Sequence, residues 1–446
     1  MADVLLTHSN HVYNDRKQAR KMQPYPPLQT LIAAACLREA GYSVALFDPT
    51  LEEPESGFER ALAKHQPRLV AICEDNFNYL TKMCLLRNRE LSHWMAQRCN
   101  VPIVINGSDA SDRSAEYLRA GFAHVLIGEV EQAIVDVARH ILDGAPYSQR
   151  RAPITDLDTL PAPAWDLIDP EPYRAAWTKA HGYYSVNMVT SRGCPYRCNW
   201  CAKPIWGDTY HCRSARLVAA EMRDVKTRFR PDHLWFADDI FALSQQWTHD
   251  FADAVEASNA QIPFKMQSRC DLMTRPTVDA LRRAGCTEVW MGVESGSQDV
   301  LDAMDKGTRL WQVFEARENL RQHGVRACYF LQFGYPGETW AEIEKTIALI
   351  RDTRPDDIGV SVSYPLPGTA FHRTVSSQLG PKDHWADSDD LDMMFQGAFT
   401  TDFYRALADA LHIEVRTGRE AAEEAWSTVH ALRPTCERKL PIWISC

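Results

Sequence analysis

Short apolar runs alternate with amphipathic stretches from the first residues onward, and their spacing sets the reading of the chain. Over residues 1–146 the runs are VLLT (4–7), SVALFD (43–48), LVAIC (69–73), PIVIN (102–106) and HVLIG (124–128), with a helical pattern from Pro27 to Ala40 after the first. Brief continuous apolar runs separated by helical periods read as strands buried on both faces. The pattern therefore predicts five βα units in an α/β fold, a doubly wound (Rossmann-like or flavodoxin-like) parallel sheet. Such sheets bind ligands beyond the carboxyl ends of their strands. Residues 147–184 read as a linker, because APITDLDTLPAPAWDLIDPEPY (152–173) is rich in proline and has little periodicity.

A second series follows: SVNMVT (185–190), HLWFAD (233–238), FKMQSR (264–269), EVWMGVES (288–295), ACYFLQFG (327–334) and IGVSVSY (358–364), with helical patterns such as Ala215 to Phe229 and Arg309 to His323 between them. Six such units over residues 185–375 predict a partial (β/α)6 barrel, whose chemistry sits at the C-terminal strand ends. From residue 376 to 446 the chain is acidic and then helical, with Trp385, Phe395, Phe399, Phe403 and Tyr404 spaced for packing.

Composition narrows the function. The net charge is −10 over 446 residues, which argues against a basic face tracking phosphates and so against a nucleic-acid partner. No apolar stretch approaches the roughly 20 residues of a membrane span, and the N-terminus has no basic segment followed by a long apolar run. A cytoplasmic protein is expected. The 13 cysteines are odd in number and lack a paired framework, so most are expected to be thiols and a few to be ligands.

One cysteine cluster stands out. SRGCPYRCNWC (191–201) places Cys194, Cys198 and Cys201 on one loop after the first strand of the second series. A cubane iron–sulfur cluster usually takes four thiolates; three would leave one iron open to chelate an amine and a carboxylate. The alternative is structural zinc, with His211 or Cys212 as a fourth ligand. The distinctive acids and bases also fall at strand ends: Asp238 and Asp239 after the second, Arg269 after the third, Glu294 and Ser295 after the fourth.

Over residues 185–375 the sequence resembles the radical S-adenosylmethionine superfamily, with Trp200 in the aromatic place of its C-x3-C-x2-C motif. The resemblance implies a 4Fe–4S cluster on Cys194, Cys198 and Cys201, with S-adenosylmethionine at its open iron. It also implies that Asp238 and Asp239 receive the methionine amine, although the family more often has Gly-Gly-Glu there. Arg269 would pair with the methionine carboxylate, and Glu294 and Ser295, in MGVESGS, would bind the ribose. FGYPGET (333–339) and YPLPGT (364–369), the latter carrying Tyr364, would line the adenine pocket.

Residues 1–146 lack G-x-G-x-x-G after the first strand and instead carry late glycines in NGSDAS (106–111) and IGEVEQ (127–132). With PPLQTLIAAACLREAGYSVALFD (26–48) these resemble the cobalamin-binding domain that precedes one class of radical S-adenosylmethionine enzymes. That implies cobalamin contacts from Gly107, Ser108, Asp109, Gly128 and Glu129. D-x-H-x-x-G is absent, so no histidine is expected on cobalt despite His8 and His11; residues 74–79, including Asn76, would face the lower side of the ring. The activity implied is methylation of an unactivated carbon of a small molecule or natural product, with an external electron donor of flavodoxin or ferredoxin type. The rival readings are a cyclase or ring-rearranging enzyme on the same domains, a methylthiotransferase, and a non-catalytic cobalamin or redox sensor.

Overall fold

The computed structural model describes residues 1–75, 85–149, 153–203, 205–380 and 390–437. The chain divides into two compact units, Met1–Cys194 with Lys203–Asp239 and Ala254–Pro263, and Pro195–Ala202 with Ile240–Asp253 and Phe264–Cys446.

In the first unit, β1 (Val4–Thr7), β2 (Val44–Leu46), β3 (Leu69–Cys73), β4 (Ile103–Asn106) and β5 (His124–Leu126) form a five-stranded sheet in the order β2-β1-β3-β4-β5. All neighbours are parallel. This is the flavodoxin-like order, which changes direction between β1 and β3 and puts a ligand crevice at their carboxyl ends. The continuous apolar runs have the cause expected of them: every residue of β1 and β3 is buried. Helix α1 (Leu28–Glu39) is buried at every position from Leu28 to Leu37, which explains its run of alanines and aliphatics without a polar face. Helices α2 (Pro54–His65), α3 (Leu85–Arg98) and α4 (Val130–Asp143) complete the layers.

The stretch read as irregular contains short turns at Leu157–Thr159 and Trp165–Leu167, but from Pro170 it is helical. Helix α5 (Pro170–His181) starts on an Asp169 cap with proline in its first turn, a start signal that the density of prolines hides. The segment is fastened to the sheet domain: Trp177 Nε1 donates to Pro24 O at 2.6 Å and the Tyr173 hydroxyl to Asp48 at 2.6 Å. After it, β6 (Ser185–Met188) pairs in parallel with β7 (His233–Phe236), α6 (Ala215–Phe229) lying between them in sequence.

The second unit carries β8 (Phe264–Ser268), β9 (Cys286–Glu294), β10 (Arg326–Phe333) and β11 (Asp357–Val362), each parallel to the next. Helices α7 (Arg275–Ala284), α8 (Leu310–Gln322) and α9 (Trp340–Thr353) connect them. The helical C-terminal region holds α10 (Thr401–Thr417) and α11 (Glu423–Cys436), with Arg351 of α9 bound to Glu414 of α10 through both carboxylate oxygens. The fold is thus α/β: a doubly wound sheet, a six-strand βα series of the partial-barrel type, and a helical C-terminal region. Among the described residues no helix is long and apolar enough to cross a membrane.

Candidate functional site

The functional side chains fall in both units, and each set has its own geometry. In the first, β6 stops at Met188, and beyond it Thr190 and Ser191 bond to the side chain of Asp238. The buried Asp238 carboxylate accepts from Thr190 N (3.0 Å), Thr190 Oγ1 (2.7 Å) and Ser191 Oγ (2.5 Å). Burial nevertheless pushes its carboxyl up to about 6. Ser191 and Arg192 then pair with Cys212 and His211, and Gly193 turns with φ +75 where a Cβ would stand 2.2 Å from the Thr209 carbonyl oxygen. Only glycine fits that turn. Asp239 is exposed, and one of its oxygens accepts from Gly193 N at 3.2 Å. Lys203 Nζ caps the Cys194 carbonyl at 2.7 Å. Of the two adjacent acids, therefore, Asp238 holds the entry to the cysteine loop and Asp239 faces outward.

At the carboxyl edge of the first sheet the acids are engaged within the protein. Asp109 takes both arms of Arg89 (2.8 and 2.7 Å) and the Tyr117 hydroxyl (2.7 Å). Glu129 accepts from Arg192 Nη1 at 3.0 Å, and Arg192 Nη2 binds Glu131. What the edge presents besides is small: half-buried Ser108, Gly128 at φ +82, and Gly107, where a Cβ would meet Glu74 Cγ at 2.9 Å. Ser9 Oγ holds Glu74 at 2.6 Å. His8 has both ring nitrogens engaged, Nδ1 by Asn10 N (3.1 Å) and Nε2 by Asp48 (3.0 Å), and His11 Nδ1 lies 2.8 Å from Pro49 O. Asn76 lies outside the described residues.

In the second unit Cys198 and Cys201 flank Asn199, which anchors the loop. Its N–H donates to Met304 O (3.1 Å), its carbonyl accepts from Phe371 N (3.0 Å), and Nδ2 donates to Ala303 O (2.7 Å). Trp200 packs against the cluster of Val300, Met304, Tyr335, Phe371, Val375 and Phe395; its Nε1 is buried without a partner among the described residues. Arg269 is buried, bonded twice to Asp271 (2.9 and 3.1 Å) and once to Lys306 O (2.9 Å), with its guanidinium 3.6 Å from the centre of the Tyr196 ring. Glu294 follows a register shift in the β9 and β10 ladder and adopts φ +62, a conformation that non-glycine residues hold only where the surroundings impose it. Lys306 Nζ clamps it at 2.7 Å. Both cations, Lys306 and Arg269, interact electrostatically with Cys198. Ser295 Oγ accepts from Ser297 N at 3.1 Å, and the Tyr364 hydroxyl accepts from Leu391 N at 2.8 Å.

Lys306, Arg192, Tyr196 and Glu338 are absent from the candidates read from sequence. Lys306 sits in a turn with Asp305 and Gly307 at positive φ, so DKG reads from sequence only as a bend. Glu338 lies within FGYPGET. Gly334 N donates to one of its oxygens at 2.5 Å, and the other, buried, has no partner among the described residues. Burial pushes its carboxyl up to about 8. Between the unfolded value near 4.5 and about 8 the native state holds a proton that the unfolded chain does not, so rising pH destabilises the fold across that window. From pH 6 to 8 the stability of wild type relative to Glu338→Gln should fall by roughly 1 kcal/mol per pH unit. Denaturant unfolding at pH 6, 7 and 8 checks this; parallel pH dependences for the two proteins would refute it.

As chemistry, three thiols on one irregular loop are a soft donor set that suits iron with sulfide or zinc. All three are half-buried. Among the described residues no three His, Cys, Asp or Glu side chains are gathered as a metal-holding group.

Residues 188–350 match the Radical SAM superfamily. An uncharacterized methyltransferase of Pyrococcus horikoshii is 27% identical over 217 residues, 48% of this chain and 46% of that protein. The hopanoid C-3 methylase of Methylococcus capsulatus is 24% identical over 396 residues, 80% of this chain and 70% of that one. The chain thus spans about half the length of the first of these relatives. In fold it is similar to the radical S-adenosylmethionine methyltransferase TsrM of Kitasatospora setae, solved with cobalamin and a [4Fe-4S] cluster, with a TM-score of 0.69 and 18% identity over 85% of this chain and 75% of that one.

Proposed function

Residues 188–350 are a radical S-adenosylmethionine domain, and from that premise we propose that the protein is a cobalamin-dependent radical S-adenosylmethionine methyltransferase acting on a small molecule. The reading is carried by one observation: this domain shares a chain with a flavodoxin-order sheet whose strand-end edge holds small residues and no available histidine nitrogen on His8. When bound, the cluster supplies the electron, S-adenosylmethionine the radical, and cobalamin the methyl group.

The chain's own residues bind, orient and brace. Cys194, Cys198 and Cys201 hold the cluster, and the Asn199 tethers keep the second and third thiols in place. Lys306 and Arg269 set positive charge beside Cys198, which suits an anionic thiolate cluster. Asp239, exposed, accepts the methionine ammonium, while Asp238 fixes Thr190 and Ser191. Arg269 presents its cationic field to the methionine carboxylate while Asp271 holds its fork. Glu294 accepts the ribose hydroxyls, held in an unusual backbone conformation by Lys306; Ser295 shapes the following turn, and Trp200 and Tyr364 border the adenine. Gly107, Ser108 and Gly128 let the corrin and its tail approach the backbone, with Asp109 and Glu129 bracing that edge from within.

The reading places the protein in the cytoplasm, served by a flavodoxin- or ferredoxin-type electron donor. It is tested by anaerobic incubation of the reconstituted chain with S-adenosylmethionine deuterated at its methyl group and candidate extracts. A product heavier by the labelled methyl group is the expected result. A cyclised or rearranged product without label would assign the chain to the cyclase class.

A further inference from the structure

Parallel strands normally have both faces covered, and one face of the second unit's sheet obeys this. Val289, Met291 and Val293 of β9 and Ala327, Tyr329 and Leu331 of β10 are buried at 1% exposure or less. On the other face Phe330 is 37% exposed, the only large apolar side chain so exposed on a strand among the described residues. Trp290 beside it is half-buried. Their rings stand 4.9 Å apart at an interplanar angle of 31°.

Phe330 pairs with Gly292 on β9 and with Gly359 on β11, so neither neighbouring strand raises a side chain in its layer. A Cβ on Gly359 would stand 3.2 Å from the Phe330 ring and 3.4 Å from the Trp290 ring. The charges bordering the strip are already matched, Glu288 with Arg326 at 2.9 Å toward one end and Glu294 with Lys306 at 2.7 Å toward the other. The second pair lies over Gly292, where a Cβ would meet both side chains at 2.7 Å. The Glu294 carboxylate is thus carried over Gly292, on the face that also bears Trp290.

We propose that Trp290, Phe330 and Gly359 form the floor of the substrate subsite and select a planar, uncharged, conjugated ring. Two aromatic rings in tilted contact, one of them exposed, favour a flat conjugated partner that stacks or tilts against them. Matched ion pairs offer no spare charge to an ionic ligand, and a puckered aliphatic skeleton touches such a floor at few points. The inference rests on the proposed function for the identity of the ring as substrate, not for its binding.

The test is calorimetric titration of the full chain with 2-naphthol and with decahydro-2-naphthol, which share a carbon skeleton and hydroxyl but differ in planarity; iron content is measured on the same samples. The planar probe should bind at least tenfold more tightly. Trp290→Ala should weaken it about tenfold, Trp290→Phe by less than threefold, and Gly359→Leu, which crowds both rings without removing either, by tenfold or more. Equal affinity for the two probes, or wild-type affinity in Gly359→Leu with native circular dichroism, overturns the proposal. Loss of planar preference in protein that assembles its cluster sinks the subsite alone; planar preference in protein that binds no iron sinks the radical reading alone.

Discussion

Replacing Cys194, Cys198 and Cys201 together by alanine should take the chain from about four irons after anaerobic reconstitution to essentially none. Cleavage of S-adenosylmethionine should disappear with them, a loss of at least ~10^6 in rate if the cluster supplies the electron. The fold should survive. The three side chains are half-buried on an irregular loop, and Asn199 and Lys203 hold that loop through backbone groups. Circular dichroism and iron analysis of the triple variant decide the matter. Wild-type protein that retains stoichiometric zinc, and loses it on Cys212→Ala, would point to a structural metal instead.

The second large effect is expected at Lys306→Met. Lys306 and Glu294 side chains are 7% and 6% exposed and 2.7 Å apart. Removing one partner of a buried pair leaves the other charge uncompensated and costs roughly 3–5 kcal/mol. Here the stranded carboxylate also sits on a residue at φ +62, so the β9 end should loosen locally. Lys306→Met with Glu294→Met should recover most of the lost stability, because two apolar groups of similar length leave no orphan. Denaturant unfolding of the two single variants and the double measures the coupling. Additive losses would show that the two residues do not act as a pair.

Much of the fold is legible because its strands are buried on both faces and so write continuous apolar runs. Residues 4–7 and 69–73 are strands over the full length of VLLT and LVAIC, and α6 spans Ala215–Phe229 as its period requires. Strand ends are less legible. SVNMVT and HLWFAD stop being strand at Met188 and Phe236, since their last residues bond through side chains at the site, which hydropathy does not register. The helix from Pro170 was masked by prolines that serve as its first turn. At the site, residue type announced the cysteines and the strand-end acids, but not their partners. The division of labour between Asp238 and Asp239, and the clamp of Lys306 on Glu294, arise from segments 48 and 12 residues apart in sequence. Only the folded chain brings them together.

The central claim, that radical chemistry here ends in methyl transfer from cobalamin, is tested most directly by counting by-products. A radical methylation consumes one S-adenosylmethionine to make 5′-deoxyadenosine and another to restore the methyl donor. With the true substrate under anaerobic reducing conditions, 5′-deoxyadenosine and S-adenosylhomocysteine should accumulate in near-equal amounts, each matching the methylated product. Complete conversion of substrate with 5′-deoxyadenosine and no S-adenosylhomocysteine would contradict it.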